Sequence, residues 1–339
     1  MHAVVLDATG PPEALVLTEV ADPTLGSGQV LIDVEYANVT FVETQVRAGR
    51  PPRPEMLPAL PAILGGGVGG VVAEAGPGVE ANLVGRRVVA GLGGLGGYAE
   101  RAVADVPRLI EIPAAMPTRE AVALLSDGRT AVGLIELAGP RPGETVLVEA
   151  AAGGVGTLLV QLGRNAGARV IALAGGEAKL AVARGLGAEI TIDYRDGSWA
   201  RQVREEAGVV DVVFDGVGGD IGLAASKLLG PGGRFCPFGM ASGSFARVSP
   251  DDGVAVLRAP PAGPDELVAL TRAALREAER GRLRPVIGQE FALGDAATAH
   301  AAIESRHTIG KTLLVPAHPL VSVYEGAGDT RPKCDTPGG

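Results

Sequence analysis

The first third of the chain alternates apolar and polar positions with a period of two. Val30–Glu35 (VLIDVE), Gly70–Ala75, Arg87–Ala90 and Tyr98–Val103 read as short strands broken by Gly and Pro. That pattern predicts an antiparallel, barrel-like domain over residues 1–122. Pro51–Pro61 (PPRPEMLPALP) has no period and is expected at the rim of a cleft. The period then lengthens, and Thr118–Leu125 and Thr130–Ala138 predict helices. Beyond them strands (Thr145–Glu149, Ala168–Ala174, Glu189–Ile192, Val210–Phe214, Gly233–Phe238) alternate with helices (Thr157–Asn165, Ala178–Leu186, Ser198–Ala207, Ile221–Leu229). Such alternation marks a parallel sheet with crossover helices. A charged amphipathic helix, Asp265–Arg280, precedes a return to loop and strand up to Lys311–Pro316. The tail, 319–339, is polar, rich in Gly and Pro and expected to be disordered.

One segment carries chemistry. TVLVEAAAGGVGTLLVQLGRNAGARVIALA, residues 145–174, reads as strand, glycine turn, helix, strand, with Ala151, Gly153 and Gly156 forming an A-x-G-x-x-G fingerprint. Small residues there let the backbone approach a pyrophosphate, whose charge then sits on the amides and positive dipole of a helix N-terminus. Spacing alone proves little, since 51 of the 339 residues are Gly. Gly65-x-Gly67-x-x-Gly70 and Gly91-x-Gly93-x-x-Gly96 match equally well but run into strands, and are read as turns and close-packed bends.

Composition narrows the function classes. Acidic residues outnumber basic ones, 39 to 30, which leaves no basic footprint for nucleic acid. No secretory leader pattern and no apolar run long enough for a membrane span is seen, so a soluble, cytoplasmic protein without a membrane partner is expected. Two cysteines, Cys236 in a predicted strand and Cys334 near the end, suit neither a disulfide framework nor a zinc cluster. His2, His300, His307 and His318 have no ligand spacing and are read as surface or loop histidines. With 26 Arg against four Lys, a lysine at a motif position is informative.

Several motifs converge on one family. GPPEALVL (10–17), FVETQVRAG (41–49), GGYAERAV (96–103), DGRTAVGLI (127–135), AAAGGVG (150–156), IDYRD (192–196), FDGVGG (214–219), PFGMASG (237–243) and ESRHTIGKTLLV (304–315) follow in order. The chain resembles the medium-chain dehydrogenase/reductases, in the zinc-independent quinone oxidoreductase (zeta-crystallin-like) branch. The resemblance implies an α/β fold: a Rossmann-type parallel-sheet domain, 123–263, and a mainly β, GroES-like catalytic domain built from both chain ends, 1–122 and 264–318. It also implies a cofactor cleft between them, and homodimers. Zinc-dependent relatives carry a His-Glu pair where this chain reads Gly65-Gly66-Gly67, and they need cysteines it lacks, so no metal is expected.

The cofactor is read at the end of the second strand of the fingerprint. A carboxylate there would bond the ribose of NAD. Here Ala174-Gly175-Gly176 is followed by Lys179, which suits the 2′-phosphate of NADPH, although Glu177 would oppose it. The resemblance places Lys179 and Tyr194 on that phosphate, Ala152, Gly153, Gly154, Val155 and Gly156 along the pyrophosphate, and Thr130 by the nicotinamide. Gly216, Phe238, Gly239 and Met240 fall at carboxyl ends of strands, where open α/β sheets bind ligands. Arg306 and Lys311 would reach the cofactor from the returning segment. Where relatives read Asn-Phe-Ile-Asp-x-Tyr, this chain has Thr40-Phe41-Val42-Glu43-Thr44-Gln45, and a second family tyrosine aligns near Pro51. Thr40 and Gln45 are left as neutral donors, with Thr130, for the catalytic role. The expected activity is an NADPH-dependent, metal-free reduction of a quinone or α,β-unsaturated carbonyl. The alternatives are a tailoring reductase or reductive cyclase acting on a polyketide-like enone, and an NADPH-binding sensor or structural protein with little turnover.

Overall fold

The computed structural model describes residues 1–249, 253–259 and 262–316. The expected disordered tail, Cys334 and His318 lie outside the described residues. The chain opens with β1 (His2–Leu6), β2 (Leu15–Glu19), β3 (Gln29–Val39), α1 (Phe41–Arg47) and β4 (Ala62–Ile63). β5 (Gly67–Ala75), β6 (Arg87–Gly91), β7 (Arg101–Asp105) and β8 (Leu109–Glu111) follow. β1 pairs with β2 and β4 in a small antiparallel sheet. β3 is the longest strand and pairs with both β5 and β7. Its Val30, Ile32 and Val34 are buried in one core with Val68, Val72 and Val88. The glycines of β5 serve this packing, because a Cβ at Gly70 would collide with the Asp33 carbonyl. The second decoy ends in a loop, where Gly93, Gly94 and Gly96 take positive φ.

The middle of the chain begins with α2 (Thr118–Ala138) and continues through β9 (Thr145–Val148), α3 (Gly154–Asn165), β10 (Arg169–Ala174), α4 (Glu177–Gly185) and β11 (Ile190–Asp193). It goes on with α5 (Trp199–Ala207), β12 (Val210–Asp215), α6 (Gly219–Ser226), β13 (Leu229–Pro237) and β14 (Ala255–Val256). The strands form one parallel sheet, ordered β11-β10-β9-β12-β13-β14. Val146, Leu147 and Val148 of β9 are fully buried, as a central parallel strand covered on both faces requires. α2 is a single helix rather than the two segments the sequence suggests. Gly128 stands at the join for packing, since a Cβ there would come within 2.8 Å of Ala274 Cβ.

The chain ends with α7 (Pro264–Glu279), β15 (Ile287–Ala292), α8 (Ala296–Glu304) and β16 (Lys311–Val315). β16 lies antiparallel to β3, with Leu313 opposite Asn38, so both ends of the chain build the seven-stranded sheet. On the way back the Gly310 amide donates to the Ala152 carbonyl at 2.7 Å, tying the returning segment to the glycine turn. Among the described residues no helix is long and apolar enough to cross a membrane.

Candidate active site

A cavity of about 1080 Å³ lies between the glycine turn and the antiparallel sheet. The turn after β9 forms its floor. Gly153 is the N-cap of α3 in extended conformation, so the first amides of the helix open toward the cavity. A Cβ at Gly156 would strike the Ala150 carbonyl, which fixes that position as glycine. Ala152, Gly153, Gly154, Val155 and Gly156 all line the cavity, as do Gly216, Phe238, Gly239 and Met240 at the ends of β12 and β13.

The far end of the cavity gathers cations. Lys179 donates to the Arg306 carbonyl at 2.6 Å, and the Arg306 guanidinium donates to the Ala241 carbonyl at 2.7 Å. Arg306 holds φ of 59°, a left-handed conformation unusual for a side-chain-bearing residue. Arg195, missed by the sequence reading although it follows Tyr194 directly, lies against Gly175 and Gly176. Burial, then the neighbouring Arg195 and Arg306, hold the Lys179 ammonium below its ordinary pKa. Glu177 does not oppose this cluster, because its carboxylate pairs with Arg184. Asp193 at the end of β11 is paired with Arg195, whose hydrogen bonds push its pKa down to about 2. Gly175, Lys179, Tyr194 and Arg306 line this end. Gly176 does not. Its amide donates to Asp193 Oδ2 at 3.0 Å and its φ of 94° starts α4, so it shapes the backbone.

The other end is built on α1. Thr40 caps this helix in a reciprocal pair: its hydroxyl accepts from the Glu43 amide, and the Glu43 carboxylate accepts from the Thr40 amide at 2.7 Å. Thr40 and Glu43 face the cavity. Gln45 does not: it is only 7 % exposed, off the cavity wall, and its amide donates to Thr44 Oγ1. The reason is helical geometry, since five residues past Thr40 is about 140° further round the axis. Glu43 was missed, yet the T-x-x-E spacing of Thr40 and Glu43 was a readable signal of a capping box. Its Oε1 accepts from the Gly66 amide at 2.7 Å and its Oε2 from the Tyr98 hydroxyl at 2.9 Å. Burial pushes the Glu43 carboxyl up, against these donors.

Tyr98 also meets His300 Nε2 at 3.0 Å. His300 is a fully buried residue of α8, not a surface or loop histidine, and burial followed by the Arg47 charge pulls its pKa down to about 3. The imidazole is therefore neutral. The correction has a simple cause: α8 packs against the N-terminal sheet, a contact between chain ends that local pattern does not show. His2 and His307 are exposed.

Thr130 and Lys311 complete the wall. The Thr130 hydroxyl donates back to the Ser126 carbonyl at 2.8 Å, and the Lys311 ammonium bonds Asp127 Oδ1 at 3.0 Å. Asp127 was also missed; a Cβ at Gly154 would collide with its carboxylate. Gly66 sits on the cavity wall with Gly94 behind it. Among the described residues no cluster of three or more His, Cys, Asp or Glu could hold a metal ion.

Comparison with known proteins fits this architecture. Residues 26–114 match a family profile described as alcohol dehydrogenase GroES-like domain, and residues 186–314 one described as zinc-binding dehydrogenase. The chain is 33 % identical over 329 residues to a 2-haloacrylate reductase of Burkholderia, covering 93 % of this chain and 98 % of the relative. It is 33 % identical over 324 residues to a quinone oxidoreductase of Pseudomonas aeruginosa, covering 91 % and 98 %. The chain belongs to the medium-chain dehydrogenase/reductases, in their zinc-independent quinone oxidoreductase branch. The structure of the Escherichia coli quinone oxidoreductase complexed with NADPH superposes on this oxidoreductase with a TM-score of 0.85 and 28 % identity, covering 93 % of this chain and all of that one. The Rossmann sheet and GroES-like domain of this oxidoreductase are those the resemblance implied.

Proposed function

We propose that this oxidoreductase uses NADPH to reduce a quinone or an α,β-unsaturated carbonyl by 1,4-addition, without a metal. One observation carries the reading. A single cavity is lined by Lys179 and Arg306 at one end, with Arg195 against Gly175 and Gly176 beside them, and by Thr40 and Glu43 at the other. The names of the relatives, a quinone oxidoreductase and a 2-haloacrylate reductase, both describe reduction of conjugated acceptors.

The residues fit the cofactor. The α3 amides and its dipole would take the pyrophosphate, and Lys179 with Arg306 and Arg195 would hold the 2′-phosphate. NADPH held there would supply hydride for an electron-poor carbon. Conjugation spreads the developing negative charge over the acceptor, so neutral donors in a cleft can hold it where an isolated ketone wants a Lewis acid. Thr40 suits that part, because its oxygen accepts from the Glu43 amide and, among the described residues, its own O–H has no acceptor. The Thr130 hydroxyl is spent on the Ser126 carbonyl, so Thr130 fits an orienting role. Gln45 is left with packing.

Oxidation of NADPH by a panel of quinones and enones tests this reading. Consumption that depends on the acceptor supports it. Tight NADPH binding with no consumption by any acceptor would favour a sensor instead.

A further inference from the structure

On the cavity wall of α2, next to Thr130, stands Arg129. Its Nη1 lies 3.7 Å from the place a Cβ would take on Gly91, at the end of β6, so only glycine separates it from the antiparallel sheet. Among the described residues its guanidinium has no hydrogen bond and no ion pair. Three other cations of the cavity wall differ. Lys311 is paired with Asp127, Arg53 with Glu55, and Arg108 with Asp105. Arg129 is half-buried, and burial depresses its pKa while Asp127 raises it. A guanidinium nonetheless stays protonated throughout the ordinary pH range.

A half-buried charge without a partner costs free energy, and its persistence beside a cavity calls for a ligand. The phosphates of NADPH already have cations and helix amides at the other end of the cavity. Arg129 faces Gly91 and the substrate side. We propose that Arg129 is an anion subsite, and that the acceptor is a conjugated carbonyl compound bearing a carboxylate, gripped by this guanidinium. The planar fork matches a carboxylate with two parallel hydrogen bonds, which also sets the direction of the conjugated system. The reductase reading supplies the reaction on which this subsite rests, but the anion contact can be measured apart from it.

The test has two arms. Calorimetry on the NADPH complex compares benzoate with benzamide, its neutral counterpart. Steady-state rates compare para-carboxybenzalacetone, an enone bearing a carboxylate, with its methyl ester. The wild type is expected to prefer the acid in both arms. Arg129→Leu is expected to lower the acid-to-neutral ratio by roughly tenfold to a hundredfold, as loss of a charge-assisted contact implies. Arg129→Lys, which keeps the charge, should retain most of the preference. An acid preference that survives Arg129→Leu, or is absent from the wild type, overturns the subsite. So does an Arg129→Leu variant that loses NADPH affinity while its acid preference is unchanged. If neither enone is consumed but benzoate still binds through Arg129, the reductase reading fails and the subsite stands.

Discussion

The Lys311 ammonium stands 3.0 Å from Asp127 Oδ1, joining β16 to α2 over the N-terminus of α3. Both groups are largely buried, so the pair places a neutral combination where the cofactor's phosphates approach. Lys311→Met leaves the Asp127 carboxylate uncompensated at that place. The NADPH dissociation constant is then expected to rise by about tenfold, the scale of a lost charge-assisted contact. The double variant Asp127→Asn with Lys311→Met should recover most of the affinity. Fluorescence titration checks both, and an unchanged constant in the single variant would contradict the arrangement.

Lys179 and its cationic neighbours imply a cofactor preference. NADPH is expected to bind at least about tenfold more tightly than NADH, since a charge-paired phosphate contact contributes roughly 1.5–3 kcal/mol. Lys179→Ala should erase most of that margin, and raising the salt should narrow it. Equal affinities for the two cofactors in the wild type would remove the assignment.

Thr40 and Gln45 should separate in single-turnover experiments. Thr40→Val removes the free hydroxyl and is expected to slow hydride transfer on the order of tenfold, less than for a localised oxyanion. Gln45→Leu lies off the cavity and should leave the hydride-transfer rate unchanged. A slow Gln45→Leu with a normal Thr40→Val would reverse the roles.

His300 predicts an acid-sensitive stability. Its folded pKa of about 3 lies below the ordinary 6.5, so between those values the unfolded chain holds a proton the native one does not. Stability from this site is full above pH 6.5 and is lost as pH falls toward 3. One proton limits the slope to about 1.4 kcal/mol per pH unit. Urea unfolding across this range should show a shallower slope in His300→Gln. An identical slope would mean that the imidazole is protonated in the fold.

The glycine turn and the cavity end it lines were legible in the sequence because their signals are local. A glycine turn between a strand and a helix fixes Gly153–Gly156, and a missing carboxylate followed by Lys179 points to a phosphate. The wall opposite was less legible. Their spacing suggests one surface for Thr40 and Gln45, whereas α1 turns them to different faces and brings Glu43 forward by its capping box. Asp127 and Lys311 are 184 residues apart, as only the return of β16 onto β3 could arrange. His300 meets Tyr98 for the same reason.

Proposed conjugate reduction fixes the carbon that receives the transferred hydride. With NADPH deuterated at the transferring position and an enone acceptor, deuterium is expected at the carbon β to an intact carbonyl. Deuterium on the carbonyl carbon of an allylic alcohol would contradict it.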